Sequence, residues 1–234
     1  TSLGLNHPAS TERISSGVAQ LDARLGGKGF FRGSTILISG TAGTGKTSLA
    51  AQFALAACER GERCLYLAFE ESPAQITRNL ASIGLDLRPV IANGNLHLRA
   101  NRPTFYGLEA HLAVIHQAIA QLKPTVVVLD PVSNLSLGMP TFETKAMLMR
   151  LVDYLKGSDV TAVMTSLTRI DSDLESSEVG ISSLIDSWIV LHYQEVAGRR
   201  SRILSVRKSR GMAHSDASCV LRLSEHGIEL TDVA

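Results

Sequence analysis

Gly40-Thr41-Ala42-Gly43-Thr44-Gly45-Lys46-Thr47-Ser48 decides how the rest of this chain is read. Residues 40–47 spell G-x-x-x-x-G-K-[ST], the spacing of a phosphate-binding loop. The flanks give the motif its meaning. Residues 34–39 (STILIS) predict a buried strand, and an Ala/Leu/Phe face at helical spacing, free of Gly and Pro, predicts a helix over 48–60. A strand, a glycine-rich turn and a helix make a cradle for a nucleoside triphosphate. Gly40, Gly43 and Gly45 let backbone N–H groups wrap the phosphates, and the helix N-terminus adds its positive dipole end. Lys46 is placed to meet the β- and γ-phosphate oxygens and the Thr47 hydroxyl to hold Mg²⁺. The whole run, Thr41, Ala42, Thr44 and Ser48 included, is expected to line the nucleotide.

Working outward, apolar segments alternate as strand and helix from 34 to 165, the pattern of an α/β domain with a mostly parallel sheet flanked by helices. Residues 63–69 (RCLYLAF) predict a second strand, 72–82 a short helix, and 96–98 a short strand after a Pro/Asn/Gly loop. Leu108, Leu112, Ile115, Ile119 and Leu122 recur at i, i+4, i+7, i+11 and i+14, the apolar stripe of a helix. Residues 125–130 (TVVVLD) predict a fully buried strand, 143–156 a helix and 160–165 another strand. From 187 the rhythm changes. Residues 188–193, 202–208, 220–223 and 227–230 predict strands without helices between them, an antiparallel C-terminal extension of the sheet.

A single domain over 1–234 accommodates all of this. The chain opens on Thr1 without a methionine, as expected of a piece of a longer, tandem protein. With 23 basic and 22 acidic residues the net charge is +1, so no global field draws the domain to nucleic acid or to a membrane surface. No apolar run approaches a membrane span, and there is no signal-peptide pattern. Cys58, Cys64 and Cys219 lack metal-ligand spacing and sit in apolar segments, which predicts buried, reduced thiols and a cytoplasmic protein.

Two acidic positions sit at predicted carboxyl ends of strands, where ligands bind in such sheets. Asp130 ends its apolar strand and can hold Mg²⁺, directly or through water, opposite Thr47. Glu70 and Glu71 close the second strand and can orient and deprotonate an attacking oxygen, with Glu70 also a candidate metal ligand. Adjacent residues of an extended strand point to opposite sides, so only one of the two glutamates can face the γ-phosphate unless the strand has already bent. Glu70 is preferred. As acids of a first helical turn both also suit the helix dipole, with Ser72 as N-cap.

These residues resemble the KaiC-type RecA-like ATPases, a family of circadian-clock ATPases and autokinases, over nearly the whole chain. The likeness is carried by 15–22 (SSGVAQLD), 26–31 (GGKGFF), the phosphate loop, 69–72 (FEES), Arg78-Asn79, the strand ending in Asp130 and 181–211. It implies a RecA-like P-loop NTPase fold and ATP with Mg²⁺. It also implies a homo-hexameric ring with ATP between subunits, regulatory protein partners and a signalling or clock role. In the family the first glutamate of the FEES stretch is the catalytic base, which agrees with Glu70 and leaves Glu71 sharing the role.

The likeness is closest to the second, kinase-bearing half of these proteins. There Ser182 and Ser183, within 181–187 (ISSLIDS), match the phospho-acceptors, serine standing second where the family has threonine. This implies serine autophosphorylation and its reversal. Lys208-Ser209-Arg210-Gly211 matches a stretch that reaches the ATP of the neighbouring subunit, and Arg202 an arginine of that pocket. On an extended strand Arg202, Lys208 and Arg210 share parity, so they are expected to project from one face. Ile83 stands where the family has a tryptophan near the adenine, removing aromatic stacking on the base.

His111 and His116, five apart on one helix, miss the spacing of a shared metal site and read as surface or core-edge residues. Thr165 and Ser166 end a central strand where RecA-like folds keep a polar γ-phosphate sensor. The basic cluster of Arg199, Arg200, Arg202, Arg207, Lys208 and Arg210 lacks the interleaved aromatics of a nucleic-acid surface. Two rival readings stand beside the autokinase: a DNA-dependent RecA-like ATPase and a nucleotide-gated scaffold with negligible turnover.

Overall fold

The computed structural model describes residues 9–102, 108–136, 141–168, 184–196 and 198–233. A short ribbon, β1 (Arg13–Ile14), with α1 (Ala19–Arg24) before its partner β2 (Phe30–Phe31), precedes the main sheet. The chain then runs β3 (Thr35–Gly40), α2 (Lys46–Glu59), β4 (Cys64–Ala68), α3 (Pro73–Ala81), α4 (Arg88–Ala92) and β5 (Leu96–Ala100). It continues through α5 (Leu108–Leu122), β6 (Val126–Asp130), α6 (Thr141–Gly157) and β7 (Thr161–Leu167). β8 (Ser187–Val196), β9 (Arg199–Ser209), β10 (Cys219–Ser224) and β11 (Gly227–Asp232) complete the order.

Nine of these strands form one sheet in the order β11-β10-β9-β8-β3-β7-β6-β4-β5. Every residue of β3, β4 and β6 is buried, as continuous apolar runs require of strands covered on both faces. Alternate side chains feed two cores. Ile36, Ile38, Val126 and Val128 meet α2 through Leu49, Phe53 and Ala57 on one face. Leu37, Val127 and Leu129 meet α5 and α6 through Ile115, Leu148 and Leu151 on the other. Full burial of each such side chain contributes roughly 1.5–3 kcal/mol. A one-residue slip would exchange the faces of a whole strand, so this double burial fixes the register.

Two expectations are corrected here. β8 was expected to open the antiparallel extension, yet it pairs in parallel with β3, and the antiparallel part begins at β9. Residues 187–196 are followed by a hairpin, and the hairpin governs how β9 pairs, not how β8 meets β3. The loop expected before β5 contains α4, started by Pro89 in its first turn, where proline's missing N–H costs nothing.

Local chemistry places the ends near the site. Ser72 caps α3 in a capping box: its hydroxyl accepts from the Gln75 backbone N–H at 3.3 Å, and Gln75 Oε1 accepts from the Ser72 N–H at 3.0 Å. Cys58, Cys64 and Cys219 are free and buried. Among the described residues, no helix is long and apolar enough to cross a membrane.

Candidate active site

The phosphate loop lies where the chain leaves β3 for α2, which crosses over β7 and β6 to reach β4. A Cβ on Gly40 would collide with the Leu191 carbonyl of β8, so glycine is required by close packing. Gly45 caps α2 with φ +100°, a conformation that favours glycine. No side chain caps this helix and no acid lies in its first turn, which leaves the dipole and the first N–H groups for an anion.

Lys46 is only 7% exposed, and its ammonium donates to the Thr41 carbonyl at 2.8 Å, within the loop itself. Burial lowers its pKa to about 8 against the opposing pull of Asp130 and Glu70. The Thr44 hydroxyl also donates to Thr41 O, at 2.8 Å, tying the two halves of the loop together.

Asp130, buried at the carboxyl end of β6, gathers three hydroxyls. Tyr66 donates to Oδ2 at 2.6 Å, Thr165 donates to Oδ1, and Thr47 lies 3.3 Å from Oδ1. A threonine hydroxyl beside a carboxylate is a hard-oxygen pair, suited to Mg²⁺, which takes one or two protein oxygens and fills its octahedron with phosphates and water. Among the described residues no group of three or more His, Cys, Asp or Glu could hold a metal. Of the candidate sensor pair, Thr165 faces Asp130, whereas the Ser166 hydroxyl turns to the Leu167 carbonyl at 3.4 Å.

β4 ends at Ala68 and the chain bends over 69–71. The bend removes the parity constraint on the two glutamates, and Glu70 and Glu71 both line one cavity of about 410 Å³. Ala42, Gly43, Gly45, Lys46, Thr47, Ser48 and Asp130 line it too. Glu70 is close enough to stabilise the Lys46 cation, and Glu71 accepts from Asn79 Nδ2 at 3.3 Å. The cavity's apolar lining includes Ile76, Leu80, Ile83, Pro131, Leu167 and Leu223, so Ile83 does border it, as an aliphatic wall.

The three basic residues do not share a face. β9 pairs Val206 with Ile189 but Lys208 with Trp188, so Arg207 is an extra, bulged residue and the alternation resets. Arg202 falls on the α2 face and donates from Nε to Gly43 O of its own phosphate loop at 3.2 Å. Lys208 falls on the Trp188 face, near Lys156 of α6. Burial first, then Arg210 and Lys156, holds its ammonium below the ordinary lysine value. The Arg210 guanidinium lies 3.8 Å from Asp186, level with Thr35 at the foot of β3. That is five residues, or about 17 Å, from the level of Gly40. β9 is also an interior strand, not an edge.

Ser182 and Ser183 lie outside the described residues. His111 is buried and His116 stacks on Tyr154 with ring centroids 3.9 Å apart, so neither belongs to the site. Sequence reasoning missed Tyr66 and Tyr193. Tyr66 looked like one more apolar residue of a core strand; its one signal is a hydroxyl two positions from the strand's end. Tyr193, whose hydroxyl donates to Gly43 O at 2.8 Å, gave none.

A parallel sheet with this loop at the end of one strand, a metal-type aspartate at the end of another and glutamates after a third defines a RecA-like P-loop ATPase domain. Comparison with known proteins narrows the class: a family model described as "ATPase: KaiC" matches residues 14–233, and the chain belongs to the KaiC ATPase family. It is 53% identical over 99% of its length to the circadian clock protein KaiC2 of Synechocystis sp. (strain ATCC 27184 / PCC 6803 / Kazusa), covering 41% of that protein. It is 37% identical over 97% of its length to the circadian clock oscillator protein KaiC of Picosynechococcus sp. (strain ATCC 27264 / PCC 7002 / PR-6), covering 44% of it. The chain thus spans less than half the length of these curated relatives.

Proposed function

We propose that this domain binds Mg-ATP, hydrolyses it, and transfers the γ-phosphate to Ser182 and Ser183 across subunit boundaries of a homo-hexameric ring. The observation that carries the nucleotide chemistry is the convergence of Lys46, Thr47, Asp130, Glu70 and Glu71 on one 410 Å³ cavity at the N-terminus of α2. Lys46 leaves the Thr41 carbonyl for the β- and γ-phosphate oxygens, and the N–H groups of 40–47 wrap the rest. Thr47 and Asp130 hold Mg²⁺, which neutralises phosphate charge when bound. Glu70, with Glu71 beside it, takes the proton of the attacking oxygen as that oxygen bonds to the γ-phosphorus and the bond to the ADP oxygen breaks.

The acceptor step and the ring rest on the likeness of 181–187 and 208–211 to the kinase-bearing half of the family. The position of Lys208 and Arg210, away from their own phosphate loop, supports their use on a neighbour's nucleotide. Regulatory protein partners, a cytoplasmic place and a signalling or clock role belong to the same reading. Intact mass and phosphosite mapping after incubation with Mg-ATP, alongside released phosphate, test it. One or two added phosphates, absent from Ser182→Ala/Ser183→Ala and from Glu70→Gln, are the expected result. Unmodified protein with Glu70-dependent phosphate release would leave an ATPase and remove the acceptor assignment.

A further inference from the structure

The Gly43 carbonyl, at the outer turn of the phosphate loop, accepts two hydrogen bonds from the β8–β9 hairpin. Tyr193 donates its hydroxyl at 2.8 Å and Arg202 its Nε at 3.2 Å. The two donors face each other across the hairpin in register, and Arg200 covers the tyrosine ring with its guanidinium carbon 3.9 Å from the ring centroid. A side chain at position 43 would crowd this contact, since a Cβ there would come within 3.3 Å of the tyrosine oxygen, and Gly43 has φ +77°.

We infer that Tyr193 and Arg202 are positioning residues that clamp the Gly43–Thr44 peptide and thereby aim the Thr44 N–H into the phosphate cradle. The physical link is the planarity of the peptide group. In a trans peptide the carbonyl and the following N–H point in opposite directions, so two donors holding the Gly43 oxygen toward the hairpin turn the Thr44 N–H away from it. Thr44 cannot adjust independently, because its side chain is buried and its hydroxyl is tied to Thr41 O. A free loop would have to order this peptide on binding phosphate, whereas a clamped one meets the anion with the donor already aimed. Arg202 therefore serves its own subunit's loop, unlike Lys208 and Arg210.

The inference rests on the nucleotide-binding reading, and two measurements keep their failures apart. The first is ADP affinity for wild type, Tyr193→Phe, Arg202→Lys, Arg202→Met and Tyr193→Phe/Arg202→Met. Tyr193→Phe keeps the ring under Arg200 and is expected to weaken ADP about 3- to 10-fold, as loss of one hydrogen bond implies. The double variant is expected to lose more, and Arg202→Lys, which retains a donor, less than Arg202→Met. Because the contact serves ground state and transition state alike, KM for ATP rises with kcat nearly unchanged. The second is hydrogen exchange in the free protein, where the 40–47 segment speeds up in the double variant while the middle of α2 and the melting temperature stay near wild type. Wild type that bound no ADP would overturn the nucleotide reading itself. Wild type that bound ADP, with double-variant affinity and 40–47 exchange unchanged, would overturn the clamp alone, as would a loss explained by a general fall in stability.

Discussion

Arg202 and Lys208, six residues apart on β9, lie on opposite faces of the sheet because Arg207 bulges between them. Arg202 touches the phosphate loop of its own chain, and Lys208 sits toward the foot of the sheet beside Trp188. A strand without the bulge would have put both on one face.

Mixing variant subunits tests the proposed division between a chain's own loop and a neighbour's. Lys208→Ala subunits combined with Lys46→Ala subunits are expected to recover turnover, because the first supply intact phosphate loops and the second intact Lys208. Arg202→Ala combined with Lys46→Ala, at ATP below KM, is expected to give no more than the sum of the two parents, since each subunit's own loop then carries one lesion. Phosphate release against mixing ratio is the measurement; equal recovery in the two mixtures would contradict the assignment.

Glu70→Gln keeps the size of the side chain and removes the base. Released phosphate is expected to fall by roughly 10²–10⁴-fold, the range of general-base contributions, while ADP affinity changes little. Glu71→Gln, whose carboxylate already accepts from Asn79, is expected to fall less.

Lys46 gives two pH dependences of opposite sign. Its pKa is lowered to about 8 in the folded protein from an ordinary 10.5. Between these values the unfolded chain binds the extra proton, so this group's contribution to folding stability rises as pH increases through 8 toward 10.5. Phosphate, however, needs the charged ammonium, so ATP affinity is expected to hold below pH 8 and weaken above it. Titration of binding from pH 7 to 10 reads this, with Lys46→Met binding weakly and without that slope. A flat wild-type profile would falsify the role given to the lysine charge.

Tyr66→Phe is nearly isosteric but removes one of the donors to Asp130. A hydrogen bond to a buried carboxylate is worth about 1.5–3 kcal/mol, so denaturant unfolding is expected to show a loss of that order with an unchanged m-value. Because the carboxylate also loses its orientation, the Mg²⁺ concentration needed for half-maximal turnover is expected to shift as well. A variant with wild-type stability and metal dependence would mean that Thr165 and Thr47 set the carboxylate without Tyr66.

How much of this was legible in sequence depends on the range of the interaction. The phosphate loop, its flanking strand and helix, Asp130 at the end of an apolar run, and Ser72 as a cap are all local patterns. Backbone geometry and burial periodicity act over a few residues, so order in the chain is enough to read them. The pairing of β8 with β3, the reset of β9 and the partners of Asp130 are not local. Tyr66 and Asp130 are 64 residues apart, Tyr193 and Gly43 are 150.

By itself, then, the sequence determined the class of chemistry: a loop with the spacing that cradles phosphates, between a buried strand and a helix. Tertiary structure alone decided which basic side chain of β9 reaches the chain's own phosphate loop. A single bulged residue, Arg207, sets that division, because side-chain direction on a strand alternates strictly until the ladder of hydrogen bonds skips a residue, and the skip depends on the neighbouring strand.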